Sequence, residues 1–241
     1  MAIPKKIHYV WVGNGQKSPL IQKCIDSWKR VLPDYDIIEW NESNYDIHKN
    51  PYIDKAYSER KWAFVADYIR FDVLYEYGGI YFDTDVELIR EIPETIIQYK
   101  AFAGFEDMGY VNPGLVFACE PRCLIVKEIL DSFDGDVFDD KEHLYTINER
   151  MSDVLDRYGL VRNNQFQIVE DIAIYPSDFF CAYDQILKEP CITDNTISVH
   201  HYAATWRSNG LKFKMKLRNI IKHVIGRKNF IRLIELKQRF K

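Results

Sequence analysis

The sequence lacks the features that mark a membrane-spanning or exported protein. It has no uninterrupted apolar run of about 18 residues, the length that a membrane-spanning helix needs. It also has no cationic start followed by an apolar segment, which is the pattern of a secretory signal peptide. Its five cysteines are odd in number and include no C-x-x-C pair. Together these absences favour a reduced, cytoplasmic setting.

The sequence also lacks the glycine pattern of dinucleotide-binding proteins. An apolar stretch at residues 7–12 predicts a buried first strand, and Gly13-Asn14-Gly15 follows it as a turn. This is not G-x-G-x-x-G, so the dinucleotide interpretation fails. A glycine-containing loop after the first strand of an α/β fold is nevertheless a common place for a nucleotide to bind.

Basic residues are scarce over most of the chain and concentrated at its end. The net charge of −4 divides into −14 for residues 1–211 and +10 for residues 212–241. An acidic body argues against a nucleic-acid-binding protein. The basic end has apolar residues at helical spacing, which predicts an amphipathic helical extension on an anionic membrane surface. A helix pair that packs on its own domain is the alternative.

Hydrophobic periodicity predicts an α/β fold. The predicted helices cover 19–31, 62–77, 121–133 and 143–158, and residues 41–58 read as a loop with short helical pieces. The predicted strands are 7–12, 36–40, 80–82, 86–89, 101–105, 115–119, 167–175 and 197–201.

The stretch from Trp62 to Val86 contains the most informative residues. Asp67 and Arg70 are three apart and lie between two apolar stripes of the predicted helix, so both need partners. Asp83 and Asp85 follow the next strand. Alternation along an extended chain would turn both carboxylates to one side, where a hard divalent cation such as Mn²⁺ or Mg²⁺ satisfies them. A solvated turn is the alternative.

Three ordered motifs carry a family resemblance. They are I-P-K-K-I-H-Y-V-W-V-G at 3–13, A-D-Y-I-R with L-Y-E-Y-G-G-I-Y-F-D-T-D at 66–85, and H-H-Y-A-A-T-W at 200–206. They resemble glycosyltransferase family 32, which includes bacterial capsular and exopolysaccharide transferases and fungal mannosyltransferases. The glucosylating domain of the large clostridial toxins has a related pattern. The resemblance implies a GT-A fold for residues 1–211, a Rossmann-like mixed sheet flanked by helices that binds a nucleotide sugar.

The resemblance also implies roles for individual residues. In that family the residue five before the last tryptophan ligates the metal. Here that residue is His201, and its neighbour His200 would face the opposite way as a structural residue. The implied metal ligands are Asp85 and His201, with Asp83 acting through water. The implied catalytic residues are Asp83, Asp85 and Arg70. The implied substrate-binding residues are Val10, Trp11, Asp67, Arg70, Asp83, Asn112, Thr205 and Trp206.

Some of these roles have structural alternatives. Trp11 either stacks on a uracil or fills the core. Asn112 either approaches the donor sugar or is an ordinary turn residue, and Asp67 with Arg70 either grips the sugar or forms an internal ion pair. Thr205 stands where the family usually has serine, and either hydroxyl can bind a diphosphate.

The expected activity is a metal-dependent, retaining transfer of a hexose or N-acetylhexosamine from a nucleotide-diphosphate sugar, UDP-linked by preference, to an acceptor hydroxyl. The expected acceptor is a glycan or a lipid-linked oligosaccharide in capsular or surface polysaccharide synthesis, at the inner face of the plasma membrane. No residue is identified as a nucleophile, so substitution on the front face of the sugar is expected. The alternatives are a nucleotide-sugar hydrolase, a small effector that glycosylates proteins, and a catalytically dead sugar- or lipid-binding module.

Overall fold

The computed structural model describes residues 2–106, 109–139, 145–184 and 189–203. Residues 1–183 and 190–202 form one compact unit. Thr205, Trp206 and the basic extension at 212–241 lie outside the described residues. Within the described ranges, no helix is long and apolar enough to cross a bilayer.

The helices in these ranges largely follow the predicted pattern. They are α1 (Pro19–Val31), α2 (Pro51–Ser58), α3 (Trp62–Tyr77), α4 (Glu94–Ile97), α5 (Leu124–Asp131), α6 (Ile147–Asp156) and α7 (Ser177–Phe180). The strands are β1 (Lys6–Val10), β2 (Asp36–Trp40), β3 (Gly79–Tyr81), β4 (Val86–Leu88), β5 (Ala101–Gly104), β6 (Phe117–Cys119), β7 (Gln167–Val169), β8 (Ile172–Tyr175), β9 (Tyr183–Asp184), β10 (Glu189–Pro190) and β11 (Ser198–His200).

A mixed seven-stranded sheet lies at the centre, in the order β2-β1-β3-β6-β5-β8-β7. β1, β2, β3, β5 and β8 run in one direction, while β6 and β7 run in the other. The carboxyl ends of the five like-directed strands therefore share one edge of the sheet, which is where α/β proteins bind ligands. The predicted α/β architecture is confirmed.

Two apolar layers cover the two faces of this sheet. One contains Val65, Ile69 and Phe71 of α3, and the other contains Ile21 and Trp28 of α1. The residues around α1 explain its start, because the Ser18 side chain accepts a hydrogen bond from the backbone of Ile21 and a proline occupies the first helical position.

The end of α3 is fixed by glycine. Gly78 has a φ of 60°, and a Cβ there would lie 2.6 Å from the ring of Pro121 and 2.9 Å from the Cys119 carbonyl. Both the left-handed conformation and the close approach exclude a larger residue. The chain can then turn straight into β3.

Several predicted boundaries are wrong for local reasons. The helix predicted from Pro121 begins at Leu124, because Arg122 has a φ of 62° and interrupts it. The strand predicted for 167–175 is a hairpin of β7 and β8 that turns at Glu170, whose φ is 51°. The strand predicted at 115–119 begins at Phe117. α4 and α7 were not predicted.

The strand predicted at 86–89 does not join the central sheet. It forms β4, which pairs antiparallel with β11 in a separate two-stranded sheet. Side chains of α1 hold β4 in place, since Trp28 Nε1 donates to the Val86 carbonyl at 2.8 Å and Ser27 Oγ accepts from the Leu88 amide at 2.9 Å. This pairing brings the motif at 66–85, which ends just before β4, next to the motif at 200–206, which begins at the end of β11.

Candidate active site

Asp83 and Asp85 lie on a tight turn after β3, at the carboxyl edge of the sheet. The Val86 amide donates to the Asp83 carbonyl at 3.0 Å, and the Asp83 amide donates to the Gly114 carbonyl at 2.9 Å. The expected alternation along an extended strand is therefore wrong, because the chain turns at Thr84 and Asp85. The turn still brings the two carboxylates together, within 4.8 Å of each other and of a ring nitrogen of His200.

Arg70 links α3 to this turn. Its Nη2 donates to Asp67 Oδ1 at 2.9 Å and to Asp83 Oδ1 at 3.1 Å, and its guanidinium lies 4.8 Å from the centre of the Tyr81 ring. The Tyr81 hydroxyl donates to the same Asp83 oxygen at 3.2 Å. The internal ion pair that was one alternative for Asp67 and Arg70 is thus present, and the contact of Arg70 with Asp83 was not predicted. The role of the pair in binding a sugar stays a prediction.

The Asp67–Arg70 pair is almost completely buried. Burial raises the pKa of Asp67, and the Arg70 guanidinium opposes that shift. Arg70 Nη1 is buried and has no hydrogen-bond partner among the described residues. A buried donor without a partner costs stability, so this nitrogen is a feature of the site that calls for an explanation.

Gly114 lies directly against Asp83, and Asn112 lies beside Gly114. Asn112 is buried, and its Oδ1 accepts a hydrogen bond from the Gly114 amide at 2.7 Å. A Cβ on Gly114 would lie 2.0 Å from Asp83 Oδ2. Asn112 therefore shapes a turn, as its structural alternative has it, and that turn places Gly114 where only a glycine leaves room for the Asp83 carboxylate.

The two adjacent histidines have the opposite arrangement to the predicted one: His200, and not His201, lies beside Asp85. His200 Nε2 lies 3.0 Å from Asp85 Oδ1, whereas His201 Nε2 lies 2.8 Å from Glu87 Oε2. The premise that neighbours on a strand face opposite ways is correct, but the register of β4 and β11 gives the inward face to His200. The prediction of His201 as the residue beside Asp85, with His200 as a structural residue, is corrected accordingly.

Glu106 is a site residue that the motifs did not reveal. It follows β5 at the same edge of the sheet, where its Oε1 accepts from the Tyr202 hydroxyl at 2.8 Å and its Oε2 from Asn148 at 2.9 Å. The Tyr202 ring lies 4.1 Å from the His200 ring. A lone glutamate after a strand carries no sequence signal, and only the fold shows that it faces this edge.

Val10 and Trp11 lie at the end of β1. Val10 is buried, while Trp11 is half-buried and donates from Nε1 to the Gly15 carbonyl at 2.7 Å. The Lys17 ammonium lies 5.2 Å from the centre of the Trp11 ring. A cavity of about 460 Å³ opens here, large enough for a small-molecule ligand. It is lined by Trp11, Asn14, Glu39, Asn41, Glu42 and Ser43.

The donor set of Asp83, Asp85 and His200 fits a divalent cation. Two carboxylates and an imidazole are ligands that Mn²⁺ accepts, and a mixed oxygen and nitrogen set suits it better than Ca²⁺. Burial is the largest influence on the pKa of His200 and acts to lower it. The contact with Asp85 and the charges of Asp83 and Glu106 together outweigh burial, so the pKa is raised. The carboxylates thus make the site attractive to positive charge, which a metal would supply.

The comparisons with known proteins agree with this geometry. Residues 18–102, roughly a third of the chain, match the family model described as a glycosyltransferase sugar-binding region containing the DXD motif. Inositol phosphoceramide mannosyltransferase 3 of Schizosaccharomyces pombe is 30% identical over 112 residues, which are 42% of this chain and 29% of that protein. Alpha-1,4-N-acetylglucosaminyltransferase of Homo sapiens is 40% identical over 107 residues, which are 44% of this chain and 26% of that protein.

The matches with both relatives cover less than a third of the relatives' own length. Among solved structures, that of the PaToxG glycosyltransferase is similar with a TM-score of 0.52 and 18% identity, over 65% of this chain and 70% of that chain. That likeness concerns the fold alone.

The mixed sheet and the aspartate turn at its carboxyl edge define a GT-A fold with a DXD sugar-binding region. Within that fold, residues 18–102 resemble a glycosyltransferase sugar-binding region that contains the DXD motif, in line with the resemblance that the motifs carry.

Proposed function

We propose that this protein is a metal-dependent glycosyltransferase that moves a sugar from a nucleotide-diphosphate sugar to an acceptor hydroxyl. The observation that carries the proposal is the cluster of Asp83, Asp85 and His200 beside the buried Arg70. A structural ion pair would not need two further carboxylates and an imidazole at the ligand-binding edge of the sheet. The match to a sugar-binding region over residues 18–102 supports the same interpretation.

The protein residues divide the work of binding the donor. Asp85 and His200 would hold a divalent cation, Mn²⁺ or Mg²⁺, with Asp83 completing the site. When bound, such a cation stabilises the negative charge that develops on the departing diphosphate. Asp83 is kept in place by Arg70 and Tyr81, so it is preorganised before a ligand arrives.

Arg70 and Trp11 would bind the two ends of the donor. Arg70 Nη1 has no partner among the described residues, so a sugar hydroxyl that reached it on binding would satisfy a buried donor, and Asp67 fixes the guanidinium. Trp11 forms one wall of the cavity beside β1 and β2, where a nucleobase would stack on its ring. A uracil is favoured, which makes a UDP-sugar the expected donor. Thr205 and Trp206 remain proposed ligands of the diphosphate.

The stereochemical course and the setting complete the proposal. We expect retention through front-face substitution, in which the acceptor hydroxyl and the leaving diphosphate share one side of the sugar. The expected acceptor is a glycan or lipid-linked oligosaccharide in surface polysaccharide synthesis. The basic extension at residues 212–241 would bring the protein to the anionic inner face of the plasma membrane.

The test measures nucleotide release from UDP- and GDP-linked glucose, galactose, mannose and N-acetylhexosamines, with Mn²⁺, Mg²⁺ or EDTA. We expect metal-dependent release from one donor. Asp85→Asn should lower it by about 100-fold or more, because the amide loses the charge that binds the cation. Asp171→Asn is the matched control, since Asp171 is an exposed carboxylate that pairs with Lys100 on the surface.

Two outcomes would contradict the proposal. One is the absence of both nucleotide release and metal-dependent nucleotide binding with every donor. The other is equal activity of Asp85→Asn and Asp171→Asn. Adding soluble methyl glycosides distinguishes a transferase from a hydrolase, because a hydrolase releases nucleotide at the same rate and forms no new glycoside.

A further inference from the structure

Three charged or titratable side chains meet next to the cluster of Asp83, Asp85 and His200. Glu87 Oε2 accepts a hydrogen bond from Lys23 Nζ at 2.8 Å and lies 2.8 Å from His201 Nε2. The side chains of Glu87 and His201 are 13% and 19% exposed, so this pair is largely sheltered from solvent. The side chains of Glu87 and His201 bond to each other and to Lys23, and the proposed chemistry gives neither side chain a role.

The Glu87–His201 contact links β4, which follows Asp85, to the end of β11, which contains His200. β4 leads directly from Asp85, and β11 ends at His200. The backbone adds one further bond at this point, from the His201 amide to the Asp85 carbonyl at 3.0 Å. With three residues in each strand, this ladder has few bonds of its own, so side chains must contribute to its register.

The register decides which histidine reaches Asp85. Val86 lies opposite His200, and Glu87 lies opposite Val199. His201 therefore shares the face of Glu87, while His200 shares the other face. A slip of one residue would exchange the two faces and turn His201 toward Asp85 in place of His200. In the observed register, the histidine that bonds with Glu87 is His201 and not His200.

Contacts with α1 fix Glu87 in the position from which it bonds with His201. Trp28 and Ser27 bind the backbone of β4 on either side of Glu87, and Lys23 binds its carboxylate. Glu87 is thus fixed by contacts with a 13-residue helix, while His201 directly follows β11, the short strand whose register is to be set.

We propose that Glu87, anchored by Lys23 and bonded to His201, is a positioning residue that sets the register of β11 and so holds His200 against Asp85. The proposal rests on the metal-dependent function above. It gives His201 the role of selecting the register, in place of a role as a metal ligand. Outer residues that orient a ligand typically contribute 10- to 100-fold to metal affinity.

The test is the affinity for Mn²⁺, measured by electron paramagnetic resonance with and without UDP. Glu87→Ala and His201→Ala should each weaken Mn²⁺ binding by about tenfold. His201→Gln should stay within about threefold of the wild type, because its amide can still donate to Glu87. Glu128→Ala is the control, since it removes a comparable carboxylate, bonded to Arg157 and Tyr158, from α5.

A double-variant cycle separates positioning from general destabilisation. If Glu87 acts through His200, Glu87→Ala should change Mn²⁺ affinity by less than about twofold in a His200→Ala background. The same loss in both backgrounds would overturn the proposal. So would a wild-type affinity in Glu87→Ala. Equal damage from His201→Gln and His201→Ala would instead make His201 itself a ligand.

Failure of the wider function gives a different result. If the wild-type protein binds no Mn²⁺ in either condition, the metal site and the positioning role are both refuted. If the wild type binds Mn²⁺ and releases nucleotide while all Glu87 and His201 variants match it, only the positioning role is refuted.

Discussion

Gly114 offers the sharpest test of how the aspartate motif is held. It lies on the loop before β6, and its backbone carbonyl accepts the amide of Asp83. A Cβ at this position would lie 2.0 Å from Asp83 Oδ2 and 2.8 Å from its Cγ. Gly114 does not have a positive φ, so the requirement for glycine is one of space alone. Alanine at this position would therefore push directly on one carboxylate of the site.

The size of the displacement follows from van der Waals contact. To reach an ordinary separation of 3.4 Å, the carboxylate of Asp83 or the loop must move by roughly 1.4 Å. The bond from Arg70 to Asp83 is already 3.1 Å long, near the upper limit for a good hydrogen bond. A shift of this size breaks it and the bond from Tyr81. A hydrogen bond to a charged group contributes about 1.5–3 kcal/mol, which corresponds to about 10- to 150-fold in affinity.

We therefore expect Gly114→Ala to weaken Mn²⁺ binding in the presence of UDP by at least about tenfold. The assay is a Mn²⁺ titration, with thermal unfolding measured alongside. Gly104→Ala is the matched control, because a Cβ at Gly104 would meet Phe180 at 3.2 Å and no atom of the site. It should lower stability and leave Mn²⁺ affinity within about twofold. Mn²⁺ affinity of Gly114→Ala within twofold of wild type would refute the reasoning.

Two further predictions concern groups away from the aspartates. Burial lowers the pKa of His8 to about 4, while its ring nitrogens bond to Gly78 and Trp40. An unfolded histidine titrates near 6.5. The stability that the neutral, buried His8 contributes is therefore complete above that pH and is lost as the pH falls toward 4. Urea unfolding should show about 2 kcal/mol less stability from His8 at pH 5 than at pH 8, and His8→Gln should lack that part of the slope. An unchanged slope would contradict this. A hydrogen bond from Cys119 lowers the pKa of Cys123 to about 7. Peptide mapping after iodoacetamide treatment should give half-maximal alkylation of Cys123 near pH 7, and a midpoint near 9 would exclude a stabilised thiolate.

The local features of the fold could be predicted from the sequence because they depend on neighbouring residues. The start of α1 follows from Ser18, which caps it, and from Pro19 at its first position. The end of α3 follows from Gly78 and Gly79. The proximity of Asp83 and Asp85 is likewise short-range, although a turn produces it and not an extended strand. Each of these signals lies within a few residues of the feature that it specifies.

The parts that could not be predicted depend on pairing between distant segments. The exchange of His200 and His201 reflects the register of two strands about 110 residues apart, and a shift of one position reverses the answer. Glu106 became a site residue only through Tyr202 and Asn148, which lie on other elements. The space requirement at Gly114 arises across the sheet and leaves no local trace.

The two aspartates of the motif are held by different parts of the chain. Asp83 is bonded to Arg70 of α3, to Tyr81 of β3 and to the loop before β6, so its position depends on the central sheet. Asp85 contacts His200, and its position depends on the small sheet that α1 supports. The site is therefore assembled where two sheets meet, although its two carboxylates are separated by a single residue. A change in α3 should act first on Asp83, and a change in β11 should act first on Asp85. On this division, loss of Arg70 should displace Asp83 before Asp85, and loss of His200 should do the reverse.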